Sequence, residues 1–352
     1  MPKLKLGFIG TGSICQECHL PHYAAMPDVE IYAICDIKPD VAKAVAEQYG
    51  VKRVFTDYNE MLRLDEVDVV DVCTPNDVHS PAGVAALDAG KHVLVEKPVA
   101  RTAAEAQALV DAARTSGKKL QVAHCIRFQP GNQALKSFVE AGEMGDIYYA
   151  RAQAIRRRGI PAWGVFIDKE KQGGGPLVDI GVHALDTTLW LMGFPEPVSA
   201  TGVTYRKFGD RPDVFNAWGP WDYKNYTVED FAAGFVRFRN GASLMVEASF
   251  AANIGQNIFN ATIVGTEGGC EMSPPRMYKE RNGTLLDVTP VSLPKVDIYE
   301  REITAFLDAI VNDKPVPVPA DECLITARIM DAIYESAQSG REVRISQTGG
   351  TV

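Results

Sequence analysis

An apolar run from Leu4 to Ile9 breaks directly onto Gly10-Thr11-Gly12. This junction constrains the fold more than any other segment of the chain. A short buried strand that turns on glycine into a helix opens a βαβ unit. The first glycine suits a tight turn. The second lets the backbone approach a pyrophosphate, which rests on the N-terminus of the next helix, where Ser13 and Ile14 lie. The third position of the pattern packs helix on strand; it is Cys15 here, where Gly or Ala is usual.

Strand and helix signals go on alternating. Glu30 to Cys35, Val67 to Cys73, His92 to Val95 and Leu120 to Ala123 are short apolar runs, separated by helical patterns over Pro39–Tyr49, Ser80–Ala89 and Thr102–Thr115. Such alternation predicts right-handed crossovers and a parallel sheet covered on both faces. Gly50, Gly90 and Gly117 stand where helices should stop, as left-handed caps. Asp36 ends the second run. A carboxylate there accepts hydrogen bonds from ribose hydroxyls and repels a 2′-phosphate, favouring NAD over NADP, although Lys38 is close by. An aspartate at that point also serves as a turn residue or helix cap; the glycines before it favour the ribose role. Cys15-x-x-Cys18-His19, with His22, has haem or zinc spacing. It lies where the pyrophosphate must sit, and haem attachment needs an exported chain, so helix packing is the expectation and no metal is assigned.

The character changes near Cys125. A helix over Pro130–Ala141 leads into a strand, Ile147–Ile155, then a glycine-rich turn and helix, Gly173–Met192. Strand patterns follow, two pairs of them joined by Asn240-Gly241 and Asn282-Gly283, a strong hairpin signal. Amphipathic helices over Tyr299–Val311 and Asp321–Ser339 close the chain. The expected fold class is α/β: a doubly wound Rossmann domain over residues 1–124, then an α+β domain over 125–352 with a large, mostly antiparallel open sheet. One face of that sheet needs covering, which points to a homodimer or homotetramer.

Composition narrows the function. A net charge of −9 argues against nucleic acid or anionic membrane as a partner. The opening apolar run is too short for a signal peptide, and no segment has the length to span a bilayer. Seven cysteines, an odd number in apolar contexts, fit reduced thiols in the cytoplasm.

Two elements carry the chemistry. Glu96-Lys97-Pro98 ends the fifth strand, at the carboxyl edge where ligands of parallel sheets bind. Asp179 and His183, inside Gly173-Gly174-Gly175-Pro176-Leu177-Val178-Asp179-Ile180-Gly181-Val182-His183, are four apart and share a helical face. A neutral histidine accepts an alcohol proton near neutral pH. With the glycine turn, and with His19-Leu20-Pro21, Cys73-Thr74-Pro75-Asn76 plus His79, and Arg127-Phe128-x-Pro130, the chain resembles the glucose–fructose oxidoreductase / inositol dehydrogenase (Gfo/Idh/MocA) family over nearly its whole length. Cys15 is the clear departure.

The resemblance implies an NAD-dependent dehydrogenase acting on a secondary hydroxyl of a sugar or cyclic polyol. It implies Lys97, Asp179 and His183 as the catalytic set, which also touches substrate. Thr74, Pro75, Asn76, His79, Glu96 and Lys97 would line the cofactor cleft. Arg127, Arg156 and Trp163 fall in segments that should border the substrate. The run Arg156-Arg157-Arg158 also reads as an ordinary strand end, and an isolated Trp as core or interface. Two other functions stay open: a glycosidase that uses held NAD for transient oxidation, and a catalytically silent sugar-binding regulator. Retention of Lys97 and His183 speaks against the second.

Overall fold

The computed structural model describes residues 3–346. The chain forms two compact units. One runs to Phe128 and takes up Val296–Leu324; the other holds Gln129–Lys295 and the chain from Ile325 on.

The first unit is built on a six-stranded parallel sheet of β1 (Leu4–Ile9), β2 (Val29–Cys35), β3 (Arg53–Phe55), β4 (Val69–Val72), β5 (His92–Glu96) and β6 (Leu120–Ala123), in the order β3-β2-β1-β4-β5-β6. The order reverses between β1 and β4, which is where an open α/β sheet leaves a crevice beyond its strand ends. All four residues of β4 are buried, as expected of a strand covered on both faces. Gly50 and Gly117 cap their helices with positive φ, and Gly90 follows the end of the helix Asn76–Asp88 in the same conformation. The short strand β3 and the helix Tyr58–Leu62 went unread in the sequence.

The break after Phe128 lies close to the expected boundary at residue 125, but Val296–Leu324, expected in the second domain, packs with the first unit. The helix Ile298–Val311 carries Ile303, Phe306 and Leu307, a stripe at i, i+3, i+4, into the same core as Leu6, Phe8, Leu20, Ile34 and Leu94. Burial of that stripe holds the segment with the nucleotide-type sheet.

The second unit is a nine-stranded sheet of β7 (Ile147–Ile155), β8 (Pro197–Tyr205), β9 (Phe231–Phe238), β10 (Ser243–Ser249), β11 (Ile258–Gly265), β12 (Gly268–Glu271), β13 (Arg276–Arg281), β14 (Thr284–Val288) and β15 (Val343–Arg344). The order is β14-β13-β12-β11-β7-β10-β9-β8-β15, antiparallel throughout except for the central pair β7 and β10. Residues alternate between faces: on β9, Ala232, Gly234 and Val236 are buried while Phe231, Ala233 and Phe235 are only partly so. The helix Val182–Met192 packs on β7 and β11, and Ile333 of the helix Ala320–Ser339 lies against Gly202 and Gly234. The opposite face presents Val203, Tyr205, Phe231 and Phe235 with thinner cover. No helix among the described residues is long and apolar enough to cross a membrane. None of the seven cysteines is in a disulfide.

Candidate active site

In the first unit, Gly10 has φ +84°, and a Cβ there would meet Cys73 O at 2.7 Å and Thr74 Cγ2 at 2.8 Å. Only glycine fits. Gly12, by contrast, faces open space, with nothing within 4 Å of a Cβ. Ser13 beyond it is exposed and Ile14 half-buried against the core. Thr74 Oγ1 is buried and has no partner among the described residues. A tight turn, an open approach and an unsatisfied hydroxyl beside it fit a dinucleotide.

Asp36 does two jobs there. Its Oδ2 accepts hydrogen bonds from Thr11 N–H (2.8 Å) and Thr11 Oγ1 (2.9 Å), and Oδ1 accepts from Lys38 N–H (2.9 Å). The carboxylate therefore braces the glycine turn. A carboxylate has roughly four acceptor positions, so capacity remains for a ribose hydroxyl.

Lys97 follows Glu96, the last residue of β5, and is half-buried; the Lys97–Pro98 peptide is cis. Glu96 Oε2 accepts from Lys97 N–H at 2.9 Å, and Glu96 Oε1 lies 3.1 Å from His19 Nε2. His19 Nδ1 lies 2.8 Å from Asp71 Oδ2 in β4. Burial by itself would push the imidazole down, but the two carboxylates, Asp71 foremost, hold it well above the ordinary histidine range. Burial opposes ionisation of Glu96 too; the His19 and Lys97 charges outweigh it and keep that carboxyl below its usual range. The buried His19 ring thus ties Asp71 of β4 to Glu96 of β5, the residue before Lys97. In Cys15-x-x-Cys18-His19, then, Cys15 packs into the core and His19 turns to carboxylates.

His79 was expected to line the cleft. It is buried, with Nδ1 2.7 Å from Pro98 O and Nε2 2.8 Å from Thr74 O. Both partners are carbonyls, so a ring donating to both is doubly protonated; burial opposes that charge and lowers its pKa. The residue ties the Thr74 turn to the Pro98 turn. Asn76 is likewise buried, while Pro75 is exposed. Arg127, expected at the substrate, is buried in the first unit with Nη1 2.5 Å from Glu322 Oε2. A guanidinium out of water needs a carboxylate, and this one is supplied from far along the chain.

In the second unit, Asp179 is buried and His183 half-buried. The helix starts with one wide turn, Leu177–Gly181, of i→i+5 type before the regular helix Val182–Met192. In either geometry residues four apart stay near one face, so the pair remains together. Its glycines are packing requirements. A Cβ on Gly175 would overlap the Glu229 carbonyl, and one on Gly181 would stand 2.8 Å from Ala248 Cβ of β10. Glu229, absent from the sequence reading, anchors this helix start: Oε2 accepts from Gly175 N–H (3.0 Å), and Oε1 from Leu177 N–H (3.4 Å) and Tyr334 Oη (2.8 Å). Its pKa is raised, since burial outweighs those donors. Nothing local marks Glu229 in the sequence, because its partners are more than fifty residues away.

Arg156 Nη1 lies 3.8 Å from Asp179 Oδ2, and burial lowers its pKa against the pull of that carboxylate. Its guanidinium stacks 4.3 Å from the Trp218 ring. Trp163 is exposed in the neighbouring loop. Of the residues expected at the substrate, Arg156 therefore joins Asp179 directly.

Residues 4–124 match the model of an oxidoreductase family, NAD-binding Rossmann fold (Gfo/Idh/MocA), and residues 136–345 match the C-terminal alpha/beta domain of the same family. The chain belongs to this family. It is thus an oxidoreductase of the Gfo/Idh/MocA type. It is 38% identical to D-glucoside 3-dehydrogenase of Escherichia coli (strain K12), over 97% of each chain. It is 30% identical to inositol 2-dehydrogenase of Salmonella paratyphi B, covering 96% of this chain and 95% of that one. Among solved structures, levoglucosan dehydrogenase in complex with NADH and levoglucosan superposes with a TM-score of 0.83 at 26% identity, over 98% of this chain and all of that one.

Proposed function

We propose that this oxidoreductase removes hydride from the carbon that bears a secondary ring hydroxyl of a sugar, with glycosides as the substrate class and NAD as the acceptor in preference to NADP. The observation that carries this reading is the Asp179–His183 pair, held on one helical face by Glu229, in a chain that also keeps Lys97 at the end of β5. Similarity over full length to enzymes named for D-glucoside and inositol oxidation supports the same class.

Bound NAD supplies the hydride acceptor. The protein supplies the rest. His183 takes the hydroxyl proton, which the neutral ring can accept near neutral pH. Lys97 holds the reacting oxygen and stabilises its negative charge. Glu96, tied to the Lys97 backbone and to His19, positions that lysine. Asp179 binds a neighbouring hydroxyl, with Arg156 setting its position. Asp36 accepts from the adenosine ribose and disfavours a 2′-phosphate. The half-covered face of the second sheet would join copies into a dimer or tetramer, and thiols without disulfides suit the cytoplasm.

The test is NADH formation by wild type and Lys97→Ala against methyl glucoside, inositols and aldoses. Wild type should turn over at least one. The variant should lose turnover by about 10³-fold or more, as for removal of an electrostatic stabiliser, while NAD affinity stays within a few-fold. Near-normal turnover by the variant refutes the assignment. Hydrolysis of an aryl glycoside without net NADH would replace it with the glycosidase reading.

A further inference from the structure

Two loops of the second unit meet beside Asp179. Asn216 joins them: its Oδ1 accepts from Ile160 N–H (3.0 Å), and its Nδ2 donates to Ile160 O (2.8 Å) and Gly219 O (2.9 Å). Arg156 adds a bond from Nη1 to Gly159 O (3.1 Å). The loops are thereby set before any ligand arrives.

What this bracing holds in place is aromatic surface. The rings of Trp163 and Trp218 lie 5.3 Å apart, tilted by 41°, and Phe166 meets Trp163 edge-on at 6.4 Å. Trp163 is 55% exposed and Trp218 41% exposed. Loops that present large apolar rings to water, and use hydrogen bonds to keep them there, are built to meet a ligand. Arg156 connects the rings to the chemistry, stacked 4.3 Å over Trp218 on one side and 3.8 Å from Asp179 Oδ2 on the other. A group bound at Asp179 therefore has Arg156 and then the indoles as its neighbours.

Indole faces bind the C–H faces of pyranose rings and the faces of phenyl rings. We propose that Trp163 and Trp218 form a platform for the second ring of the substrate. The enzyme then selects two-ring glycosides, such as disaccharides or aryl glucosides, over free aldoses, inositols and methyl glycosides. This rests on the dehydrogenase reading, and it adds Trp218 as a specificity residue.

The experiment compares kcat/KM for phenyl glucoside and a glucose disaccharide with that for methyl glucoside. It uses wild type, Trp218→Ala, Trp163→Ala and the milder Trp218→Phe. The expected result is a wild-type preference of about tenfold, expressed in KM, as fits one aromatic stacking contact. That preference collapses in both alanine variants and survives in part with phenylalanine. Equal wild-type values, or a preference that the variants keep, overturns the platform and leaves the dehydrogenase reading standing. If no sugar is oxidised, that reading fails, and calorimetric titration of phenyl glucoside into the NADH-loaded protein decides the platform alone: Trp218→Ala should weaken binding about tenfold, and unchanged binding overturns it. Variants that alter oligomeric state without moving the preference assign the rings to a subunit interface and also overturn the proposal.

Discussion

Replacing Gly174 with alanine tests how the candidate helix is held. Its backbone is not in the left-handed region, so the penalty is purely steric. The added methyl would overlap Tyr334 Oη and stand 2.6 Å from Tyr334 Cζ and 2.9 Å from Val178 Cγ2. The tyrosine cannot simply swing aside, because its hydroxyl donates to Glu229 Oε1 at 2.8 Å. Overpacking costs about 1–3 kcal/mol, and loss of that hydrogen bond costs about 1 kcal/mol more, giving about 2–4 kcal/mol. For a unit of this size the melting temperature should fall by about 5–15 °C. Glu229 then loosens its hold on Gly175 and Leu177, so kcat should fall along with stability. Thermal unfolding by circular dichroism of G174A, Y334F and the double variant reads both terms. With the hydroxyl removed, G174A should cost at least 1 kcal/mol less than it does alone. A melting temperature within a degree of wild type, or costs that simply add, would refute the steric account.

Two more substitutions probe the first unit. Glu302 is fully buried, its carboxyl oxygens have no partner among the described residues, and burial with the Glu96 charge holds its pKa well above the usual range. A raised carboxyl pKa gives stability that is greatest below the unfolded value and falls as pH rises toward the folded one. Glu302→Gln should therefore raise the melting temperature more at pH 8 than at pH 5; an equal effect at both would sink this account. Asp36→Ala removes the acceptor that repels a 2′-phosphate and braces Thr11. The preference for NAD over NADP should shrink by about tenfold or more, and an unchanged ratio in steady-state kinetics would remove Asp36 from cofactor selection.

Local signals carried much of the fold. Leu4–Ile9, Pro39–Tyr49, Leu120–Ala123 and Ile147–Ile155 have the limits that periodicity and glycine stops imply. Short or weakly alternating pieces did not declare themselves: β3 has three residues, and β8 breaks up its apolar residues with Ser199, Thr201, Gly202 and Thr204. The parallel pairing of β7 with β10 joins strands with nearly ninety residues between them, and no turn signal encodes it. Gly10, Asp36, Lys97, Asp179 and His183 stood out as candidates because each belongs to a compact pattern. The ion pair of Arg127 with distant Glu322 was not legible, and Glu229 was invisible for the same reason. Long-range polar contacts follow from tertiary packing, which local spacing does not report.

The return of Val296–Leu324 to the first unit has a consequence for biosynthesis. The Rossmann sheet is translated early, yet Ile303, Phe306 and Leu307 of its core leave the ribosome only after the whole nine-stranded region has been threaded out, β15 excepted. Until then the nascent domain exposes the apolar surface those side chains will cover, an opening for chaperones. A gene fragment cut at Phe128 would inherit that gap permanently and should be recovered insoluble unless the late helix is supplied in trans.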